Sequence, residues 1–183
     1  MCQVVNTVVN ENGILKGYIT DGIGYMKALK EAEINIINEK ITLIAAGGAA
    51  TAIVVQAVLD GVKTISIFNR RDMHFKRMEK IAECIHKITE CEVRLFALDN
   101  LETLREEINT SIVLTNATDV GMKLFEGISC IPDASFLRKD FIVTDEIYAP
   151  AETALLKMAR EVRCRTLNGI GMMIYQGATS FEI

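Results

Sequence analysis

The residues most suggestive of chemistry lie in a run of small side chains, Ala45 to Ala50, at the end of an apolar segment. Where a strand turns into a helix, small residues let the backbone approach a pyrophosphate, and the helix N-terminus offers free N–H groups. Against the pattern G-x-G-x-x-G/A, Gly47 fits the second position and Ala50 the third, but Ala45 stands where glycine makes the tight turn. If that position needs a positive φ, the alanine costs about 1 kcal/mol. The turn favours dinucleotide binding, although close packing of a helix on a strand also selects small residues. The predicted cofactor contacts here are Ala46, Gly47, Gly48 and Ala49.

A mixed-charge loop follows the next apolar strand, about 20 residues beyond the glycines, where such folds bind the adenosine ribose. It reads Asn69-Arg70-Arg71-Asp72. An arginine there is suited to a 2′-phosphate, whereas an acidic group accepts a hydrogen bond from a free 2′-hydroxyl, so NAD and NADP both stay open. An ordinary solvated turn is the alternative. The predicted contacts are Asn69, Arg70 and Asp72.

A third polar loop runs from Asn116 to Met122, after the apolar run Ile112–Thr115. Open α/β sheets bind their ligands at the carboxyl ends of parallel strands, and this loop belongs to that edge. A capped loop without a ligand is the alternative. The predicted contacts are Asn116, Thr118, Val120 and Met122.

The elements that position these loops alternate regularly, which predicts an α/β fold of the Rossmann type. We expect a doubly wound, mostly parallel sheet with helices on both faces, because helical stretches separate nearly continuous apolar strands. A short β-hairpin and a helix precede it. The predicted strands are 4–9, 14–18, 41–45, 64–68, 92–97, 112–115, 141–144 and 165–167; the helices are 21–33, 49–59, 73–89, 101–108, 152–162 and a last one from about 169.

The composition of the chain bears on whether it binds nucleic acid, a membrane or a metal. A net charge of −4 and a pI near 5.3 give no basic face for nucleic acid. No apolar run reaches the length that spans a bilayer, and the N-terminus lacks the pattern of a signal peptide. The five cysteines form neither a C-x-x-C pair nor a metal-binding pattern, so we expect reduced thiols, a cytoplasmic protein and no metal.

Together the loops closely resemble the shikimate/quinate dehydrogenases, especially the branch that uses quinate as well as shikimate. The order and spacing of several short motifs along the chain carry the resemblance. They are Val5-Asn6-Thr7, Thr20-Asp21-Gly22, Ala46-Gly47-Gly48-Ala49, Asn69-Arg70-Arg71-Asp72, Asn116-Ala117-Thr118, Val120-Gly121-Met122, Tyr148-Ala149-Pro150, Gly169-Ile170-Gly171-Met172 and Gln176-Gly177-Ala178.

The resemblance implies hydride transfer between NAD or NADP and the ring carbon of shikimate or quinate, which interconverts the hydroxyl and the 3-dehydro ketone in the route to aromatic amino acids. It makes Asp21 the aspartate of a catalytic lysine–aspartate pair. It also implies that Asn6 and Gln176 bind substrate hydroxyls, that Tyr148 lies near the substrate, and that Gly169 and Met172 shape the nicotinamide side. Without the family, Asp21 is a helix cap, Asn6 a polar residue at a strand end and Gln176 a surface residue.

The resemblance also raises a doubt about activity, because the family's substrate domain and its lysine have no counterpart here. Neither Lys16 nor Lys123 aligns with that lysine, and Ile19, Ala45 and Asp119 depart from the usual pattern. We expect residues 1–36 to form a remnant hairpin and linking helix at the substrate cleft, and residues 37–183 to form the NAD(P)-binding domain. We expect the last helix to run on to Ile183.

Two other interpretations stay open. One is a non-catalytic dinucleotide-binding fragment or pseudo-enzyme; the other is a different dehydrogenase whose substrate domain comes from another chain. Apolar surface left exposed where a substrate domain docks predicts self-association, with a homodimer as one form of it.

Overall fold

One sheet of six parallel strands organises the chain. The computed structural model describes residues 4–183, so residues 1–3 of the first predicted domain, with Cys2, lie outside it. The strands of the sheet are β3 (Lys40–Ile44), β4 (Thr64–Asn69), β5 (Glu92–Ala97), β6 (Val113–Asn116), β7 (Ile142–Asp145) and β8 (Arg165–Leu167). Their order is β5-β4-β3-β6-β7-β8, the Rossmann order, which confirms the predicted fold class. Successive strands are added toward one edge of the sheet from β3 to β5 and toward the other edge from β6 to β8, so the order of addition reverses between β3 and β6.

Six helices accompany the strands. They are α1 (Asp21–Glu31), α2 (Gly48–Leu59), α3 (Met73–Ile88), α4 (Leu101–Thr110), α5 (Ala154–Glu161) and α6 (Ile170–Phe181). Helices α1, α2 and α3 bury Leu29, Ile53 and Met78 in one hydrophobic cluster, whereas α4 and α5 bury Leu104 and Leu156 in a second. The sheet therefore has a packed helical layer on each face, which explains why its strands are apolar on both sides.

A two-stranded antiparallel hairpin precedes the sheet, with strands β1 (Thr7–Glu11) and β2 (Ile14–Tyr18). Asn12 and Gly13 make the turn, and both have positive φ, of 53° and 88°. That combination is a type I′ turn, for which Asn-Gly is the preferred pair. The Asn10 side chain accepts a hydrogen bond from the Gly13 N–H at 2.8 Å. The first strand begins three residues later than the sequence predicts, since its pairing starts at Thr7.

Helix α1 packs closely against two other helices through its glycines. A Cβ atom on Gly22 would meet the carbonyl oxygen of Ala52 in α2. A Cβ atom on Gly24 would lie 2.7 Å from the backbone nitrogen of Gln176 in α6. Because real Cβ atoms do not come that close to backbone atoms, only glycine permits this packing. The start of α1 is therefore held between α2 and α6.

The expected end of the last helix was wrong, and for the connection from β6 to β7 the sequence predicted no element. No α-helix crosses between β6 and β7 in the described chain; two short 3₁₀ turns, Lys123–Phe125 and Ala134–Phe136, lie there instead. Phe136 and Leu137 fill the second hydrophobic cluster in the place of a helix. Helix α6 ends at Phe181 and does not run on to Ile183.

The described residues also bear on membranes. Among residues 4–183, no helix is long and apolar enough to cross a bilayer.

The division of the chain at residues 36 and 37 stays a prediction.

We predict that the substitution Gly24→Ala lowers the free energy of unfolding by about 1–3 kcal/mol, because the added methyl group overpacks the contact between α1 and α6. The matched control is Gly177→Ala in the middle of α6, where an added Cβ meets nothing within 4 Å. That change raises the free energy of unfolding by about 0.5–1 kcal/mol, since alanine favours a helix over glycine. Urea denaturation of both variants measures the difference, and equal effects would contradict the packing argument.

Candidate functional site

Several residues that the sequence only suggested separately line one small cavity. It has a volume of about 130 Å³ and lies where α1, the end of β7 and α6 meet. Its lining residues are Asp21, Glu146, Tyr148, Gly169, Met172, Met173 and Gln176. Five of them are predicted site residues, taken from segments far apart in the sequence. The fold therefore places a carboxylate, an amide, a phenol and apolar side chains around one space.

Asn6 connects the hairpin to this cavity. Its side-chain nitrogen lies 3.1 Å from Asp21 Oδ1, 3.0 Å from Gln176 Oε1 and 2.9 Å from Thr20 Oγ1. Its side-chain oxygen accepts a hydrogen bond from the Thr20 N–H at 3.1 Å. One amide group thus holds the hairpin, the start of α1 and the middle of α6 in a fixed arrangement. The interpretation of Asn6 as only a strand-end polar group is too narrow.

Asp21 is the first residue of α1, and its side chain does not cap the helix. Thr20 occupies the cap position, and its hydroxyl donates to the Gln176 carbonyl oxygen at 2.9 Å rather than accepting from an N–H of the helix. Burial raises the pKa of the Asp21 carboxyl, and the hydrogen bond from Asn6 offsets part of that rise. The Asp21 carboxyl therefore lines the cavity with a higher proton affinity than an exposed aspartate has.

Gly169 brings the start of α6 close to the end of β7. A Cβ atom there would collide with the carbonyl oxygen of Glu146, and the Gly169 N–H donates to the Ile147 carbonyl oxygen at 3.0 Å. Met172 follows one turn later and is buried, whereas Tyr148 is half exposed at the rim. The glycine is required here because two backbone segments touch.

Glu146 lines the same cavity, and the sequence reasoning missed it. Its signal was available, because a carboxylate pair, Asp145 and Glu146, stands at the carboxyl end of the apolar strand β7, the edge where such sheets bind ligands. Burial raises the pKa of the Glu146 carboxyl well above its ordinary value, and the charges of Asp145 and Asp21 raise it further. The cavity therefore contains two carboxyl groups that differ in proton affinity.

The glycine turn lies at the carboxyl end of β3, next to the loops that follow β4 and β6. Gly47 caps α2 in an extended conformation, and a Cβ atom on it would meet nothing within 4 Å. Among residues 4–183, packing therefore does not explain this glycine, whereas a Cβ atom on Gly48 would lie 3.6 Å from a methyl group of Val4. Gly48 and Ala49 are half-buried in the first turn, and Ala46 is buried at the strand end.

The Asn69–Asp72 loop uses its acidic residue internally. The Asp72 carboxylate accepts from the N–H groups of His74 at 2.9 Å and Phe75 at 3.1 Å, and so caps α3. The Asn69 amide donates to the same carboxylate at 3.1 Å. These backbone hydrogen bonds lower the pKa of Asp72. Arg70 is exposed beside this loop.

The loop after β6 is organised by a fully buried amide. Asn116 donates to the Val120 carbonyl oxygen at 3.2 Å and to Asp145 Oδ1 at 3.0 Å, and it accepts from the Thr118 hydroxyl at 2.7 Å. All of its polar atoms are used within the protein. Its side chain shapes the loop, while Met122 is 41% exposed at the edge.

We predict that Asn6→Ala raises the pKa of Asp21 still further, because the substitution removes the hydrogen bond that stabilises the ionised carboxylate. A carboxyl whose pKa is raised by folding stabilises the fold at low pH and loses that contribution as the pH rises through the folded pKa. The variant therefore loses stability more steeply with rising pH than the wild type does. Titration of the Asp21 carboxyl by ¹³C NMR measures the shift, with the exposed Asn109→Ala as control. An unchanged pKa in Asn6→Ala would count against this contact.

We also predict that Ala45→Gly stabilises the protein by about 1 kcal/mol. Ala45 has a φ of 138°, a conformation that strains any residue with a side chain. Relief of this strain exceeds the entropy that glycine gains in the unfolded chain. Ala50→Gly, within α2, is the control and lowers stability by about 1 kcal/mol. Thermal unfolding of the pair distinguishes strain relief from a general effect of glycine.

Comparisons with known proteins agree with this arrangement. A scan against models of protein families found no match. A curated shikimate dehydrogenase (NADP(+)) of Listeria monocytogenes is 56% identical over 179 residues, which is 98% of this chain and 62% of the relative. This chain thus spans less than two thirds of the length of the curated relatives that it matches.

Solved structures give the same result. The crystal structure of shikimate 5-dehydrogenase from Listeria monocytogenes, in complex with shikimate and NAD, matches with a TM-score of 0.94 and 55% identity over 99% of this chain and 63% of that one. Quinate dehydrogenase from Corynebacterium glutamicum, in complex with NAD, matches with a TM-score of 0.84 and 30% identity over 99% of this chain and 62% of that one. These matches confirm the resemblance that the motifs carry. Over almost its whole length, the chain is homologous to the C-terminal portion of the shikimate dehydrogenases.

Proposed function

We propose that the chain is the cofactor-binding part of a shikimate/quinate dehydrogenase-like oxidoreductase. The reaction interconverts shikimate or quinate and the 3-dehydro ketone with NAD or NADP. The observation that carries the proposal is the convergence of Asp21, Gln176 and Tyr148 on one cavity, in a chain 56% identical to a shikimate dehydrogenase. The cytoplasm is the proposed compartment.

The glycine turn supports the cofactor part of the proposal. The open space at Gly47 is what a pyrophosphate needs in order to reach the N–H groups of α2. We assign the phosphates to residues 46–49 and the adenosine ribose to Asn69, Arg70 and Asp72. The loop contains the Asp72 carboxylate, which caps α3, and the exposed Arg70. A carboxylate suits a 2′-hydroxyl and a cation suits a 2′-phosphate, so the choice between NAD and NADP stays open. Thr118, Val120 and Met122 are assigned to the neighbouring edge, with Asn116 shaping their loop.

The cavity supports the chemical part of the proposal. When bound, a nicotinamide supplies the hydride acceptor or donor, and we assign its side of the cavity to Gly169 and Met172. Asp21 accepts a hydrogen bond from the hydroxyl to be oxidised and takes up its proton as the ketone forms. Gln176 and Asn6 bind neighbouring hydroxyls, because amides both donate and accept. Tyr148 closes the rim.

The second candidate is a non-catalytic dinucleotide-binding module. No lysine or arginine lines the cavity within residues 4–183, so the described residues supply no cationic partner for Asp21. This candidate predicts cofactor binding without hydride transfer that depends on shikimate. Turnover by the full-length protein that the gene encodes, with shikimate or quinate and either cofactor, would exclude it.

Self-association is a further proposal for this protein. Apolar side chains are exposed on the hairpin and along α6, including Val8, Leu15, Ile174 and Phe181. We propose a homodimer as one form of this self-association, because exposed apolar surface favours contact between two copies of the chain. Light scattering that finds only monomers at high concentration would rule it out.

We predict that Asp21→Asn in the full-length protein lowers kcat by about 10²–10⁴-fold and changes KM little, because the amide keeps the shape but cannot take up a proton. The exposed Asp99→Asn is the control and leaves both constants unchanged. Reduction of NAD or NADP, followed by absorbance, measures both. Full activity of Asp21→Asn would refute the proton-acceptor role.

A further inference from the structure

Glu146 is a cavity residue for which the proposed reaction has no role so far. It directly follows β7, and its backbone is fixed from two sides. Its N–H donates to the Asn116 carbonyl oxygen at 2.9 Å, and its own carbonyl lies against Gly169, where only glycine fits. The side chain is therefore held in the cavity by rigid elements.

One oxygen of the Glu146 carboxyl group is buried among the described residues without a partner. Within residues 4–183, its Oε2 atom is closed off from solvent and has no hydrogen-bond partner. An ionised oxygen in that position loses its hydration without compensation, whereas the carbonyl oxygen of a neutral acid tolerates burial far better. The free Oε2 therefore favours a Glu146 that carries its proton on the other oxygen, Oε1.

The neighbouring Asp145 shows the opposite arrangement. Its carboxylate accepts from the Thr153 hydroxyl at 2.6 Å, the Asn116 amide at 3.0 Å and the Ile147 N–H at 3.2 Å. Burial raises the pKa of Asp145, and these three donors offset part of that rise because they favour the ionised form. Of these two adjacent carboxyls, Asp145 has the donors that hold a negative charge, and Glu146 has none.

In the part of the chain that the structure describes, the groups that face Glu146 from other elements add no positive charge. Asp21 contributes a second carboxyl from α1. Tyr25, also in α1, is buried, and its hydroxyl is hydrogen-bonded to Thr115 Oγ1 at 2.8 Å. Tyr148 and Gln176 complete the polar lining. Asp145 lies beside this pair, so ionising both Asp21 and Glu146 would bring further negative charges close to it. Because that repulsion costs free energy, one of the two keeps a proton.

We propose that Glu146 is a further ligand-binding residue of this cavity, which enters the complex as a neutral carboxylic acid and donates a hydrogen bond from Oε1 to a ligand oxygen. Asp21 remains the acceptor. The cavity then offers a hydrogen-bond donor, Glu146, and an acceptor, Asp21. The two side chains are chemically similar, but their different environments give them different proton affinities. The ligand oxygen is either a hydroxyl or carbonyl of the hydroxy acid or the carboxamide oxygen of the nicotinamide. This identification of the ligand rests on the proposed function.

The proton on Glu146 is tested without any ligand. In protein labelled with ¹³C at the glutamate carboxyls, the resonance that disappears in Glu146→Gln identifies Glu146, and its titration gives the protonation state. We expect the group to remain protonated at neutral pH. Ionisation in the ordinary range of glutamate would overturn the proposal, whatever the protein binds.

The hydrogen bond to the ligand is tested by calorimetry on the full-length protein, first with NAD or NADP alone and then with shikimate in the presence of cofactor. Glu146→Leu removes the donor and weakens binding by about three- to tenfold in one of these two titrations, which identifies the source of the ligand oxygen. Glu146→Gln keeps an N–H donor and binds as the wild type does at neutral pH. The exposed Glu161→Gln is the matched control and changes nothing.

The pH dependence separates a donor from a residue that only fills space. Wild-type affinity falls as the pH rises through ionisation of Glu146, because the donor is lost, whereas Glu146→Gln stays flat over the same range. Equal pH dependence in both proteins, or unchanged binding by Glu146→Leu in both titrations, would overturn the hydrogen bond. If the wild type binds neither ligand, the proposed function fails, and the carboxyl titration still decides whether Glu146 holds a proton.

Discussion

The close packing of α1 between α2 and α6 is the constraint on which the site depends. Gly22 and Gly24 remove the side chains that would separate the three helices. Asp21 directly precedes Gly22 in sequence, so the same packing that orders the helices fixes the direction of its carboxyl group. Asn6 then ties the hairpin to this arrangement through Asp21 and Gln176. The geometry of the cavity thus arises from helix packing and one amide.

The polar groups at this edge of the sheet fall into two kinds. Asn116 and Asp145 make their hydrogen bonds inside the protein and define the shapes of loops, as the Oδ1 atom of Asp72 does at the start of α3. Within residues 4–183, the Oε2 atom of Glu146 has no partner, and a Cβ atom on Gly47, at the start of α2, would meet nothing within 4 Å. Buried polar groups in proteins are normally satisfied, so unsatisfied ones at the ligand-binding edge are where a ligand contributes. This contrast distinguishes scaffold residues from contact residues better than residue type does.

The sequence predicted the sheet well because its strands are short apolar runs bounded by helices, and β5 and β8 have the predicted bounds. The sequence also indicated backbone strain at Ala45, because the pattern has glycine at this position and only glycine adopts a positive φ there without a cost in free energy. The β6–β7 connection was harder to predict, because Phe136 and Leu137 replace a helix in the core through tertiary contacts that leave no periodic signal. Asn6 and Gln176 are 170 residues apart, and family resemblance, not any local pattern, brought them together. Glu146 was overlooked because a carboxylate after a strand resembles any polar loop residue until its missing partners are seen.

The most direct test of the account is a crystal structure of the full-length protein with a nicotinamide cofactor and shikimate bound together. The account predicts the pyrophosphate in front of Gly47 and the shikimate hydroxyls within hydrogen-bond distance of Asp21 and Gln176. A cofactor bound elsewhere, or a shikimate ring that does not reach Asp21, would contradict it.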